Sequence, residues 1–215
     1  IKNKGVDEGW KFSSNLLMVG TFVFTIAMVI SYFFSNQIVS VLIDDSENIG
    51  QLNLTVKLTQ IILPAQLFIF WGGILNGIQY AKKKFLFPAL MPLAYNVGII
   101  GIGVIFFPIL DVASFAWGVL GGAFVGNVVI QIYGARKAGM KFIPRFDLKD
   151  KNLLNWFLIT VHLIISMGMT FSSEFLYRFF GARSTSGSGA TATLEFAYRI
   201  FMLIVGVLGQ AFAAG

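Results

Sequence analysis

The chain contains no cysteine, which removes a disulfide framework and thiol chemistry from consideration. It has a single histidine, His162, and one imidazole cannot build a metal site alone. Charge is also scarce: Asp, Glu, Lys and Arg make up 12% of the residues, about half the share of a soluble domain. What is abundant is apolar. Hydrophobic residues reach 56%, with 23 phenylalanines, and the mean hydropathy is +0.78. Side chains in that proportion must face lipid as well as one another, so the composition is that of an integral membrane protein. The chain opens on Ile1-Lys2-Asn3-Lys4, with no Met and no signal-peptide n-region, and ends inside an apolar run at Gly215. That is the pattern expected of a piece cut from a longer protein.

A helix needs about 20 apolar residues to cross a bilayer. Six stretches qualify, at about Asn15–Ile43, Leu54–Ala81, Phe87–Leu110, Ala113–Tyr133, Leu153–Phe180 and Ala190–Gly215. They are apolar on every face, as lipid-embedded helices are, and they lack the period-2 alternation of a membrane barrel. The expected fold is therefore all-α, a polytopic membrane protein with six transmembrane helices.

The connections separate by charge. The segments holding Lys2, Lys4 and Lys11, then Lys82, Lys83 and Lys84, then Arg136, Lys137, Lys141, Arg145, Lys149 and Lys151 carry twelve of the sixteen basic residues. The alternate connections, Asp44-Asp45-Ser46-Glu47, Pro108-Ile109-Leu110-Asp111 and Ala182 to Gly187, are acidic or nearly neutral. Short basic loops stay in the cytoplasm, so residue 1 is expected inside and the sixth span is expected to run inward. The same placement accounts for the net charge of +6 without nucleic acid, because no groove-reading pattern accompanies the basic residues. Contact of the basic loops with anionic membrane lipid stays open.

Pro64 and Pro92 fall within spans and are expected to break or kink them, serving packing or moving parts. Gly118, Gly122 and Gly126 repeat at four-residue spacing, as do Gly73 and Gly77, and both sets are expected to let helix backbones approach. Asn76, Asn96, Asn127, Gln131 and His162 are expected to make packing hydrogen bonds. No catalytic triad, phosphate-gripping glycine loop or metal-ligand cluster is present in the pattern.

Some charges lie where lipid should be. Lys57 and Arg178 sit near span ends, from which long side chains reach the interface. Arg199 lies about nine residues into the sixth span, roughly 13 Å at 1.5 Å per residue. Lipid exposure there costs at least about 2.5–3.5 kcal/mol. Arg199 therefore needs a partner or a water-filled cavity. Glu195, one turn away, is able to pair with it. Either the two satisfy each other and lock the packing, or Arg199 serves an anion site. Glu174 and Arg178 repeat the four-apart pattern on the preceding span, and two such pairs on adjacent antiparallel helices look like the lining of a polar cavity.

Leu63-Pro64, Gly73-Ile74-Leu75-Asn76-Gly77 and Phe85-Leu86-Phe87-Pro88-Ala89-Leu90-Met91-Pro92 with Asn96 together resemble the MurJ/MviN family, bacterial flippases for lipid II, the lipid-linked peptidoglycan precursor. The resemblance runs on through Ala116-Trp117-Gly118-Val119, Gly121-Gly122, Arg145-Phe146-Asp147-Leu148 and Gly189 to Arg199. The last of these is similar to the family's Gly-Ser-x-Ser-x-x-x-x-Ala-Asp-Arg segment, with Tyr198 where Asp is usual.

This resemblance implies a fourteen-helix, two-lobed fold shared with multidrug and polysaccharide exporters. The six spans would be helices three to eight: residues 1–140 in the N-terminal lobe, 141–152 a cytoplasmic inter-lobe loop, and 153–215 the start of the C-terminal lobe. It implies a multi-pass protein of the bacterial inner membrane that moves lipid II by alternating access and breaks no bond, so no enzyme. By the same resemblance Arg199 would bind the substrate diphosphate in a central cationic cavity with Glu195 steadying it. Glu174 would be a sodium ligand, and sodium a coupling ion; no other cofactor is implied. Two alternatives keep the fold, a flippase for another polyprenyl-linked saccharide and a cation-coupled multidrug exporter, although Arg199 disfavours cationic drugs. A third, of another class, is a non-transporting scaffold for cell-wall synthesis proteins.

Overall fold

The computed structural model describes residues 5–42, 49–182, 193, 196–201 and 203 of the chain. Among the described residues there is no strand. The helices are α1 (Val6–Phe33), α2 (Ser35–Leu42), α3 (Ile49–Ile62), α4 (Ala65–Ala81), α5 (Leu86–Leu110), α6 (Ala113–Ala123), α7 (Ile130–Lys137) and α8 (Lys151–Ala182), with a π-helical turn, Phe124–Val129, joining α6 to α7. Four segments are long and apolar enough to cross a membrane: Asp7–Phe33, Ile49–Ala81, Leu86–Leu110 and Ala113–Lys137. The protein is an all-α, polytopic membrane protein. The fifth expected span is the 32-residue α8. The sixth lies mostly outside the described residues, of which 196–201 are helical.

The first span begins earlier than its hydropathy suggests. Helix α1 starts at Val6, with Asp7 and Glu8 in its first turn, where carboxylates complement the helix dipole. Lys11 is thus an exposed helical residue. The added turns bury Trp10, 2% exposed, against Leu75, Ile78 and Ala135. Ser13, Ser14 and Asn15 are buried beside it. A polar run inside the bundle reads as a loop by hydropathy, which is why the expected start at Asn15 came late.

The two span prolines behave differently. Pro64 interrupts its span: α3 closes with Leu63 N–H donating to the Thr59 carbonyl at 2.9 Å, and α4 opens with Gln66 N–H donating to Leu63 and Leu67 N–H to Pro64 across three residues. Pro92 lies inside α5, which continues from Leu86 to Leu110 without a break. A missing proline N–H costs one ladder bond, and at Pro92 the helix continues past that gap.

The glycine sets also divide. On the α6 side, Gly118, Gly122 and Gly126 pack on the backbone of α5. A Cβ at Gly118 would lie 2.7 Å from the Ile99 carbonyl oxygen, and one at Gly122 2.5 Å from that of Tyr95. One at Gly126 would lie 3.0 Å from that of Met91. Gly98 of α5 answers them: a Cβ there would sit 2.4 Å from the Gly122 Cα. This is close backbone approach through small residues, as expected. Gly73 and Gly77 do not follow suit. Among the described residues no atom of another element lies within 4 Å of a Cβ built on either, and both face the groove between α1, α4 and α8.

A buried amide network joins α4, α5 and α7. Gln79 Nε2 donates to Gln131 Oε1 at 2.8 Å, and Gln131 Nε2 donates to the carbonyls of Phe87 at 2.9 Å and Gly126 at 3.3 Å. The Gly126 carbonyl belongs to the π-helical turn, whose widened ladder frees backbone groups that need other partners. Gly134 leaves room for the Gln79 amide, since a Cβ there would lie 2.3 Å from Gln79 Oε1. Asn76 donates across to Met91 Sδ at 3.3 Å. Asn127 bonds within its own helix, to the Ala123 carbonyl at 3.2 Å. Asn96 departs from expectation: it is exposed.

Candidate functional site

The basic loops gather at one end of the bundle, where Lys82 Nζ lies 5.3 Å over the Trp10 ring. Here the connection from α7 to α8 folds back onto α1. The clamp is built from two buried polar residues. Asn15 Nδ2 donates to the Asp147 carbonyl at 2.9 Å, and its Oδ1 accepts from Asp147 N–H at 2.7 Å, so one amide side chain satisfies both backbone groups of one loop residue. Ser14 Oγ accepts from Ile143 N–H at 3.0 Å. Phe146 meets Phe22 edge-on, with ring centroids 5.7 Å apart.

The loop carries its own stiffening. Arg145 Nη2 lies 2.7 Å from Asp147 Oδ2 and 3.7 Å from Asp150 Oδ2. Asp147 Oδ1 accepts from Lys149 N–H at 2.9 Å, and Asp150 Oδ1 accepts from Asn152 N–H at 2.8 Å. Asp150 therefore caps the start of α8, satisfying a donor the helix cannot. One turn on, Leu153 packs against Leu16 and Val19 of α1. The stretch Arg145 to Asp150 thus sets where α8 leaves the bundle.

The hydrogen bond from Arg145, then that from Lys149 N–H, hold the Asp147 carboxyl below its ordinary range, and the hydrogen bond to Asp147 raises Arg145. A depressed acid stabilises the fold above its unfolded pKa, and that contribution fades as pH falls through the folded value. The loop is expected to hold unchanged from about pH 8 down to about pH 5 and to loosen only in acid below the ordinary aspartate value near 3.9. Hydrogen exchange at the Asp147 and Lys149 amides across that range is the check. Opening between about pH 6 and 7, nearer histidine's range, would contradict it.

Between α1, α4 and α8 lies an apolar groove of about 670 Å³, lined by Gly20, Phe70, Gly73, Gly77, Trp156 and Thr160 among others. Toward the opposite end, at the Pro64 interruption, a more polar cavity of about 520 Å³ is lined by Tyr32, Lys57, Gln60, Pro64 and Trp117. Gln60 Nε2 donates there to Ser35 Oγ at 2.8 Å. Lys57 is exposed at this cavity, in keeping with a side chain that reaches the interface.

The residues singled out from sequence are placed as follows. Arg199 is exposed on the helical stretch 196–201. Glu195 lies outside the described residues. Glu174 falls in the C-terminal half of α8, about 35 Å along from Lys151 at 1.5 Å per residue. The side chains of Glu174 and Arg178 lie outside the description. His162 is exposed, with Nδ1 2.7 Å from the Leu158 carbonyl of its own helix. No group of three His, Cys, Asp or Glu side chains able to hold a metal occurs among the described residues. Sequence reasoning missed Ser14, Asn15 and Gln79. The signal available for the first two was a Ser-Ser-Asn run opening an apolar span, which buries only with partners.

Interrupted and close-packed apolar spans around grooves, with a loop tied back to hold the next helix, define a polytopic helical membrane protein. The profile of the family described as "MurJ: Lipid II flippase MurJ" matches residues 2–214. The chain belongs to this family. It is 28% identical over 174 residues to a protein of Rhizobium tropici described as "Probable lipid II flippase MurJ", covering 78% of this chain and 31% of that relative. The chain thus spans about a third of the length of that curated relative.

Proposed function

We propose that the protein to which this chain contributes carries lipid II from the cytoplasmic to the outer leaflet of the bacterial inner membrane. The family match over residues 2–214 carries this reading. The basic end of the bundle is then cytoplasmic, in line with the positive-inside rule. Residues 1–140 belong to one lobe, 141–152 join the lobes, and 153–215 open the second. Alternating access works by rocking one lobe against the other. The tie between Asn15 and Asp147 supports 141–152 as the joint. Arg199 binds the diphosphate, since a guanidinium stays charged and forks onto phosphate oxygens, and Glu195 holds it in position. Glu174 serves as a carboxylate ligand for a coupling sodium ion. Transport of this kind breaks no covalent bond.

The test uses the full-length protein in bacteria depleted of their own lipid II flippase, with membrane levels equalised. The wild type is expected to restore growth and outward lipid II exposure, and Arg199→Ala to restore neither. Rescue by both would remove Arg199 from the substrate path. Rescue by neither would overturn lipid II as the substrate. If Glu174 binds sodium, rescue depends on sodium in the wild type and loses that dependence in Glu174→Gln.

A further inference from the structure

We propose that the cavity beneath Arg136 is a binding site for an anionic phospholipid, its phosphate on the guanidinium and one acyl chain in the apolar pocket. The cavity lies at the basic end, on a different face of α1 and α4 from the groove shared with α8. Its volume is about 520 Å³, within the range of about 300–1,000 Å³ that small-molecule pockets occupy. Its walls come from Met18 and Thr21 of α1, Trp71 of α4, Ile132 and Arg136 of α7, and Phe142 of the following loop.

The walls are polar only where the polarity is already spent. Trp71 Nε1–H donates to Thr21 Oγ1 at 2.8 Å, and the Thr21 hydroxyl in turn donates to the Leu17 carbonyl. Among the described residues of the lining, Arg136 is the charged one. Its guanidinium has no hydrogen bond, ion pair or ring contact among the described residues. Neighbouring cations are engaged: Arg145 with Asp147 and Asp150, Lys137 4.7 Å over the Tyr133 ring, and Lys82 over Trp10.

An uncommitted guanidinium at the rim of a dry pocket calls for a ligand with both characters. A soluble phosphate compound would leave the apolar wall wet. The exposed guanidinium has water as an acceptor, and a phosphate would replace that water with charge-assisted bonds that a lipid without phosphate cannot make. A phosphodiester with an acyl chain satisfies both, and Arg forks onto phosphate oxygens. Lys141 flanks the site in sequence, and its field favours a lipid of net negative charge over a zwitterionic one. The proposal rests on the membrane-spanning fold and not on which substrate the protein carries.

The test places a photo-crosslinking amino acid at Ile132 of the full-length protein in vesicles of phosphatidylcholine with a minor share of phosphatidylglycerol. Mass spectrometry identifies the adduct. Phosphatidylglycerol adducts are expected well above their share of the vesicle. They should fall about tenfold in Arg136→Gln, the worth of a charge-assisted bond, less in Arg136→Lys, and hardly at all in Lys137→Gln. Adducts in proportion to lipid abundance, or unchanged in Arg136→Gln, would overturn the proposal. So would the absence of lipid adducts, an adduct to another helix of the same protein, or an adduct to a polyprenyl lipid.

Discussion

Gly122→Ala is expected to be among the most destabilising single-methyl changes in this chain, and Gly73→Ala and Gly77→Ala among the mildest. The four-residue spacing alone does not distinguish these positions; their surroundings do. The new methyl at residue 122 would sit 2.5 Å from the Tyr95 carbonyl oxygen and close on the Gly98 Cα. Both obstacles are backbone, so no side chain can rotate away, and α5 and α6 must move apart along their shared face. Overpacking of this kind costs about 1–3 kcal/mol where the surroundings can give, and backbone gives least. At residues 73 and 77 a methyl meets nothing within 4 Å among the described residues, and alanine is the better helix former by up to about 1 kcal/mol. Thermal unfolding of the full-length protein in detergent reads the contrast. A Gly122→Ala protein as stable as wild type would mean that α5 and α6 are not so closely joined in the membrane. A strong loss at Gly73 would place another helix in the groove that it faces.

Much of this architecture was legible because lipid imposes a simple rule on helices. Bulk hydropathy located Leu86–Leu110 and Ala113–Lys137 to within a few residues, since both are apolar throughout. It placed the start of α1 late because Ser13, Ser14 and Asn15 are polar yet buried, and the partners of Ser14 and Asn15 lie on a loop more than a hundred residues away. Pro64 and Pro92 look alike in sequence, and only the hydrogen bonds around Leu63 and Gln66 separate an interruption from a tolerated gap. The glycine pairs differ for a similar reason, because spacing records which face is small and not what that face meets. The π-helical turn at Phe124–Val129 left no mark in hydropathy, although Gln131, which supports it, stood out as a polar residue in a span. Arg199 and Glu174 were conspicuous for the cost of charge in lipid, which identifies residues that need an environment without specifying that environment.

Asn15→Ala should release the joint between α7 and α8 more completely than removal of the Arg145–Asp147 ion pair. The ion pair is exposed, and exposed pairs are worth little. Asn15 is fully buried and makes two short bonds to the backbone of a single residue, one donated and one accepted. Alanine removes both, each worth about 1 kcal/mol net, and leaves the Asp147 N–H and carbonyl short of partners, which adds a further penalty. A loss of about 2–4 kcal/mol follows for the local closed state. Asn15→Asp is the discriminating variant. It keeps an acceptor for the Asp147 N–H but turns a carboxylate oxygen toward the Asp147 carbonyl, so it should retain part of the tie at most. Hydrogen exchange at Ile143 and Asp147 measures the opening directly, and the amides of Gly118 to Ala123 in the distant α6 serve as an internal control that should not change. If the joint is the pivot on which the lobes rock, Asn15→Ala should also depress rescue of flippase-depleted cells at unchanged membrane abundance. Normal rescue with an opened loop would leave the clamp a structural tie for α8 and move the pivot elsewhere. Protection unchanged in Asn15→Ala would show that Ser14 and Phe146 hold the loop without it.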